Sequence, residues 1–394
     1  MAYTIKIQIY ELQIKKRFEK KNDNSMKVLF AAGGTGGHIF PAIAVADELK
    51  LISPAADILF VGAKGRMEEK IVPDNNYGLK TISVRGLNRK NIFKNISIIH
   101  QFTKALSASK KILKEFSPDV VVGTGGFVSA PVIYSAVKLN IPTLIQEGNY
   151  YPGLATKFLS SKVNSVVINF EETKKYLKRK DNVIRIAYPV RRSLIRSDRS
   201  EMRAKALKYF NMDNGLRTLL VFGGSQGAVC INSSIKKVIA GMVKSGINVI
   251  WQTGKSDFAE IKQLEKDYIH YDGTLKVLEF IKDMNYAYSA ADLAVCRAGI
   301  SSIMELAMLK IPAILIPLSR SAENHQEKNA LMLTEMSAVI MISEKDLSGK
   351  IGDTILDVIN DDVKLGKLSE NIGKAADPHS AEKILEEIFK IRRN

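Results

Sequence analysis

Three times in this sequence a short apolar run empties into a cluster of glycines and then into helix-forming residues. Val28–Ala32 runs into Gly33-Gly34-Thr35-Gly36-Gly37-His38, Val120–Val122 into Gly123-Thr124-Gly125-Gly126, and Leu219–Phe222 into Gly223-Gly224-Ser225-Gln226-Gly227. Strand, glycine turn and helix start, in that order, put the N–H groups of a helix N-terminus at a strand end, where an anion can be held. Glycine suits such a loop because a Cβ would hold the backbone away from the ligand. A tight turn alone would explain one loop of this kind. Three at strand ends favour an anionic ligand.

Around these loops, short β-rich runs alternate with amphipathic ones, a pattern that predicts parallel α/β sheets. The expected strands are Lys27–Ala31, Ile58–Val61, Val120–Val122, Thr143–Ile145 and Ser165–Ile168, then Thr218–Phe222, Asn248–Gln252, Lys276–Glu279, Leu293–Cys296 and Ala313–Ile316. The first and third glycine loops each open a run of α/β units. They predict two Rossmann-like domains whose parallel sheets face each other across a cleft, and 394 residues suffice for a core in each. The boundary is expected near Ala187–Arg192, where Tyr188-Pro189 breaks the periodicity. This gives a basic extension at 1–25, a first domain at 26–188 and a second at 189–394, with the last helix packing back on the first domain. In the extension, Ile5–Tyr10 is too short for a secretion signal and is followed by Lys15, Lys16, Arg17, Lys20 and Lys21, so it reads as a solvated arm.

The loops narrow the ligand. None carries the G-x-G-x-x-G dinucleotide fingerprint, and the second strand ends Val61-Gly62-Ala63-Lys64 without an acid for a ribose. Gly254-Lys255-Ser256 resembles the end of a P-loop, but Val249 stands where the first glycine belongs. A diphosphate joined to something other than nicotinamide or a third phosphate is left. Cys296–Glu305 follows a strand and starts a helix near Ile300, so the first N–H groups would suit a phosphate. Glu305, one turn in, could accept from ribose hydroxyls or be an ordinary solvated glutamate. Asn324–Asn329 is a polar cluster placed for sugar contacts, or a solvated loop. His38 has the chemistry of a base near neutral pH, yet it could equally cap its helix or bind phosphate. No carboxylate pair, Ser-His-Asp set, D-x-D run or His/Cys cluster stands out, so neither a metal nor a cofactor is expected. Two cysteines, Cys230 and Cys296, make no disulfide framework and point to a reducing compartment. A formal charge of +17 asks for a polyanionic partner, which is read as phosphorylated substrate and anionic lipid. Nucleic acid is disfavoured, because no stacking aromatics or basic helix accompany the charge.

The stretches Gly33–Pro41 (GGTGGHIFP), Gly123–Pro131 (GTGGFVSAP), Gln146–Gly153 (QEGNYYPG), Tyr188–Arg191 (YPVR), Gly223–Asn232 (GGSQGAVCIN), Trp251–Lys255 (WQTGK), Phe280–Met284 (FIKDM), Ala291–Glu305 (ADLAVCRAGISSIME) and His325–Ala330 (HQEKNA) together resemble the MurG family of peptidoglycan glycosyltransferases, in the family's order from Met26 onward. The resemblance implies the GT-B fold and an inverting, metal-independent transfer of N-acetylglucosamine. The donor would be UDP-N-acetylglucosamine and the acceptor undecaprenyl-diphosphate-linked muramoyl-pentapeptide. It also implies a peripheral enzyme on the cytoplasmic face of the inner membrane, with other cell-wall synthesis proteins as partners. Carried over by motif, Thr35, Gly36, Gly37 and Asn149 match donor-site positions, Arg191 and Ser225 lie near the diphosphate, and Ile281 reads uracil through its backbone. Ile300, Ser301, Ser302, Ile303, Met304 and Glu305 match the helix start that holds phosphate and ribose. Gln326 matches a contact to the sugar hydroxyls, and His38 a candidate catalytic base. Three positions depart from the family: Phe127 replaces a usual tyrosine, Gln146 the histidine of His-Glu-Gln-Asn, and Tyr188 an asparagine. A related transferase with another lipid acceptor and a UDP-N-acetylglucosamine 2-epimerase are the competing readings. For the membrane, Leu87, Ile92, Phe93 and Ile96 beside Arg85, Arg89, Lys90 and Lys94 compose an interfacial anchor within Arg85–Ile99.

Overall fold

The computed structural model describes residues 26–84, 95–195, 199–213 and 215–392. The basic extension and most of the expected interfacial anchor lie outside the described residues. The chain divides into two compact units. The first comprises Met1–Arg192 together with Pro378–Asn394, and the second Ser193–Asp377.

The first unit is built on a seven-stranded parallel sheet ordered β3-β2-β1-β4-β5-β6-β7. Its strands are β1 (Lys27–Ala32), β2 (Asp57–Ala63), β3 (Gly78–Ile82), β4 (Val120–Gly125), β5 (Thr143–Glu147), β6 (Ser165–Ile168) and β7 (Val183–Arg185). Alternate residues of these strands feed two cores, as the two-residue period of a strand requires. On one face Val28, Phe30, Val122 and Leu144 pack under helix Gly36–Ile52 and helix Ser380–Arg392, which supplies Ile384, Leu385, Ile388 and Phe389. On the other face Leu29, Val121 and Ile145 meet helix Gly126–Lys138 through Val128, Val132 and Ile133.

The second unit repeats the plan with six parallel strands in the order β10-β9-β8-β11-β12-β13. They are β8 (Thr218–Phe222), β9 (Asn248–Gln252), β10 (Leu275–Leu278), β11 (Leu293–Cys296), β12 (Ala313–Leu315) and β13 (Ile340–Met341). Trp251 is fully buried in its core beside Val221 and Val277, under helices Val229–Lys244 and Leu347–Ile359.

In each sheet the strand order reverses once, between β1 and β4 in the first and between β8 and β11 in the second. At such a point the loops leaving adjacent strands turn to opposite faces and open a crevice at the carboxyl edge. All three glycine loops and the Cys296–Glu305 segment stand at these two points. The ten expected strands form. Three that were not expected, β3, β7 and β13, are all at sheet edges.

Candidate active site

In the first unit, β1 ends and helix Gly36–Ile52 begins at Thr35, whose extended backbone (φ −144°) makes it the N-cap residue without a side-chain cap bond. Pro41 lies inside this helix and has no N–H to give to the carbonyl four residues back. That carbonyl belongs to Gly37, and the hydroxyl of buried Tyr188 donates to it at 2.9 Å. The tyrosine that departs from the family pattern thus satisfies a carbonyl that the helix cannot. The backbone N–H of Tyr188 is in turn held by Asn169 Oδ1 at 2.9 Å.

His38, half-buried in the first turn, has its Nδ1 3.0 Å from the carbonyl oxygen of Thr124 at the end of β4. A carbonyl only accepts, so Nδ1 carries a proton. The Thr124 hydroxyl closes the loop-to-loop link by donating to the His38 carbonyl at 2.6 Å. The second glycine loop is pressed into place around this pair. A Cβ on Gly125 (φ +111°) would overlap the His38 ring, and one on Gly126 (φ +79°) would overlap the Gly33 carbonyl. Ser129 Oγ, 2.7 Å from the carbonyls of both Ala31 and Gly125, ties the two strand ends together where the β1/β4 register shifts.

Beyond β5, the buried Glu147 carboxylate accepts from Asn149 N and Nδ2 (3.1 Å each), Gly153 N (3.0 Å) and Thr156 Oγ1 (2.8 Å). Asn149 is therefore set by its neighbour in the motif. Gln146 is buried, and among the described residues neither of its amide atoms has a partner. Arg191 lies with the first unit, its guanidinium 4.6 Å from the centre of the Phe40 ring.

In the second unit, helix Ile300–Met308 comes after β11 and starts at Gly299 with no side-chain cap. Glu305 is 7% exposed, and one of its oxygens accepts from the Tyr288 hydroxyl at 2.8 Å. It is a built-in, oriented carboxylate and not a solvated one. The Ile281 N–H donates to Gln252 Oε1 at 2.8 Å, and Gln252 Nε2 donates to the Gly224 carbonyl at 2.9 Å. The glutamine joins the third glycine loop to the Ile281 segment. Ser225 is exposed on that loop.

Gln326 stands in the first turn of helix His325–Glu335, behind two left-handed residues, Glu323 (φ 55°) and Asn324 (φ 52°). Its Oε1 accepts from Leu318 N at 3.0 Å, which fixes the amide so that Nε2 is the group presented for donation. The loop after β12 is anchored from below. Arg297 donates to the Ile316 and Pro317 carbonyls and pairs with Glu344 at 2.7 Å, while Ser319 donates to the same carboxylate. Burial alone would raise the Glu344 carboxyl, but the bonds from Ser319 and Arg297 and the guanidinium charge outweigh it and hold it below its ordinary range.

Tyr288, Gln252, Arg297 and Glu344 were not singled out by the sequence reasoning. Only Gln252 and Arg297 sit inside motifs, where Trp-Gln-Thr-Gly and Cys-Arg-Ala-Gly could have pointed to them. Among the described residues no group of three or more His, Cys, Asp or Glu side chains is placed to hold a metal ion.

Residues 28–168 match the profile of the glycosyltransferase family 28 N-terminal domain, and residues 218–384 that of the family 28 C-terminal domain. The UDP-N-acetylglucosamine–N-acetylmuramyl-(pentapeptide) pyrophosphoryl-undecaprenol N-acetylglucosamine transferase of Christiangramia forsetii is 39% identical over 370 residues, covering 94% of this chain and 98% of that protein. The crystal structure of Acinetobacter baumannii MurG superposes with a TM-score of 0.72 at 25% identity, over 93% of this chain and 99% of that one. A UDP-GlcNAc 2-epimerase from Neisseria meningitidis, bound to UDP-GlcNAc, shares the fold at a TM-score of 0.64 and 14% identity, over 93% and 100%.

Proposed function

The chain belongs to glycosyltransferase family 28, and on that premise we propose that it transfers N-acetylglucosamine from UDP-N-acetylglucosamine to the 4-hydroxyl of the muramoyl sugar in undecaprenyl-diphosphate-linked muramoyl-pentapeptide, turning lipid I into lipid II. Its two doubly wound units are those of the GT-B fold. The observation that carries the reading is the match to a transferase of that activity along 98% of its length.

The second unit holds the donor. N–H groups at the start of helix Ile300–Met308 (Ile300, Ser301, Ser302, Ile303) and the Ser225 loop meet the diphosphate. Glu305 accepts from the ribose hydroxyls, the Ile281 carbonyl from the uracil N3–H, and Gln326 Nε2 donates to a sugar hydroxyl. The first unit supplies His38 to the acceptor and, by the motif match, the donor-site positions Thr35, Gly36, Gly37 and Asn149. The muramoyl oxygen attacks C1, the bond from C1 to the UDP oxygen breaks on the opposite side, and the acceptor proton passes to His38 Nε2. One displacement of this kind inverts the α-linked donor to a β product. The helix-terminal N–H groups stabilise the charge on departing UDP.

The acceptor is anchored in lipid. Among the described residues no helix is long and apolar enough to cross a membrane. The enzyme docks peripherally on the cytoplasmic face of the inner membrane, with the Arg85–Ile99 segment as its anchor. Turnover with UDP-N-acetylglucosamine and a synthetic lipid-linked muramoyl-pentapeptide, with and without EDTA, tests the reading. A β-linked disaccharide that forms equally with EDTA supports it. Release of free N-acetylmannosamine and UDP without lipid would instead establish an epimerase.

A further inference from the structure

Glu68 is fully buried and opens helix Glu68–Asp74, just beyond β2. Its carboxylate is spent on backbone donors. It accepts from the N–H of Ala63 at 2.7 Å and from that of Gly34, which lies 3.2 and 3.1 Å from its two oxygens. The side chain reaches this position only because two glycines make room. A Cβ on Gly33 would overlap the Glu68 carboxylate, and one on Gly62 would overlap its Cγ. Gly33 is also held from another side, where Gly126 presses against its carbonyl. The first glycine loop is thus fixed between a carboxylate and a neighbouring backbone, two residues ahead of helix Gly36–Ile52.

This arrangement changes what the loop can do. Sequence reasoning gives its N–H groups to a substrate phosphate, but the N–H of Gly34 already faces an anion belonging to the protein. A second anion on the same donor would meet like charge at close range. The loop therefore presents its downstream end, the Thr35 cap and the His38 ring, whose orientation depends on where the helix begins.

We propose that Glu68 is a positioning residue for the transfer reaction, an internal anion that occupies the first glycine loop and sets the helix start from which His38 meets the acceptor. The proposal rests on the transferase reading above. Glu68→Gln tests it, because the amide would turn an N–H donor toward the N–H of Gly34 or Ala63 while keeping the volume. Gly33→Ala attacks the same clamp from the other partner.

In the full-length protein, kcat should fall about 10–100-fold in each variant, the range expected of a reacting group displaced by about an ångström. KM for UDP-N-acetylglucosamine should change by much less than kcat, because the uracil, ribose and diphosphate contacts are assigned to the second unit. Amide exchange should speed up at Gly34 and Ala63 while β1, β4 and β5 stay protected. The double variant should lose no more than the worse single one, since both break one clamp. Wild-type kcat in Glu68→Gln, fully additive losses, or exchange that rises across the whole first sheet would each overturn the proposal. A wild-type enzyme without turnover would sink the transfer reading separately, and the exchange measurement would then decide the clamp alone.

Discussion

Glu305 lies inside its helix, 7% exposed, with a tyrosine hydroxyl on one oxygen. A buried carboxylate is costly unless it is hydrogen-bonded, and keeping one at a carboxyl edge of the sheet makes sense if a ligand supplies further donors. Glu305→Ala should weaken UDP-N-acetylglucosamine binding by about 1–3 kcal/mol, and Tyr288→Phe by about 0.5–1.5 kcal/mol, in titration calorimetry. Unchanged affinity in a folded Glu305→Ala protein would remove the residue from the donor site. His38 makes a different prediction. If it takes the acceptor proton as proposed, with Nδ1 held by the Thr124 carbonyl, His38→Ala should lower kcat by about 10²–10⁴-fold with donor KM little changed. An effect confined to KM would make it a binding residue. At this scale the sequence was legible in where a motif residue stands, as for His38 in the first turn of its helix and Glu305 one turn into its own. It was silent on Tyr288 and Glu68, because their partners are 17 and 34 residues away and only folding brings them together.

Among the elements, the strands that escaped prediction share one cause. β3, β7 and β13 are edge strands with mostly part-exposed residues, so they lack the continuous apolar run that marks a strand buried on both faces. Central strands such as β4 and β8 were readable for the opposite reason. Helix Gly36–Ile52 carries a further consequence at its far end. Glu48 is buried there, 3.2 Å from Arg192, where the chain leaves the first unit. Burial pushes its carboxyl up to about 7; Glu382 and Asp47 push the same way, and Arg192 and His379 oppose them. An unfolded chain releases this proton near 4.5, so between the two values only the folded state holds it. The stability from this group is complete below pH 4.5 and is lost as pH rises through 7, about 3 kcal/mol in all at 1.36 kcal/mol per unit. The urea midpoint of the first unit should therefore decline between pH 5 and 8, and Glu48→Gln should flatten that decline. A wild-type midpoint that rises over this range would contradict the assignment.

For the whole molecule, two α/β units were legible from the spacing of the glycine loops. The break at Tyr188-Pro189 put the boundary near Ala187–Arg192, and the units divide at Arg192/Ser193; that Pro378–Asn394 joins the first unit is a matter of packing. Membrane attachment belongs to this scale too. Replacing Arg89, Lys90 and Lys94 by Glu should abolish sedimentation with anionic vesicles while UDP binding persists, since each cation near the surface contributes about 1 kcal/mol. Vesicle binding that survives both the charge reversal and high salt would place the anchor elsewhere. Helix Ser380–Arg392 packs on β4 and β6 of the first sheet yet follows the second unit in the chain. A ribosome elongating at about 5–20 residues per second finishes the first sheet and then spends roughly 10–40 seconds making the second unit before that helix emerges. Throughout that interval the second unit can fold to completion while an apolar face of the first stays open to water. Chains released after Asp377 should accordingly show a second unit that resists protease and a first unit that is digested or captured by chaperones. A stretch translated only after the second unit is the one that allows the first-made sheet to close.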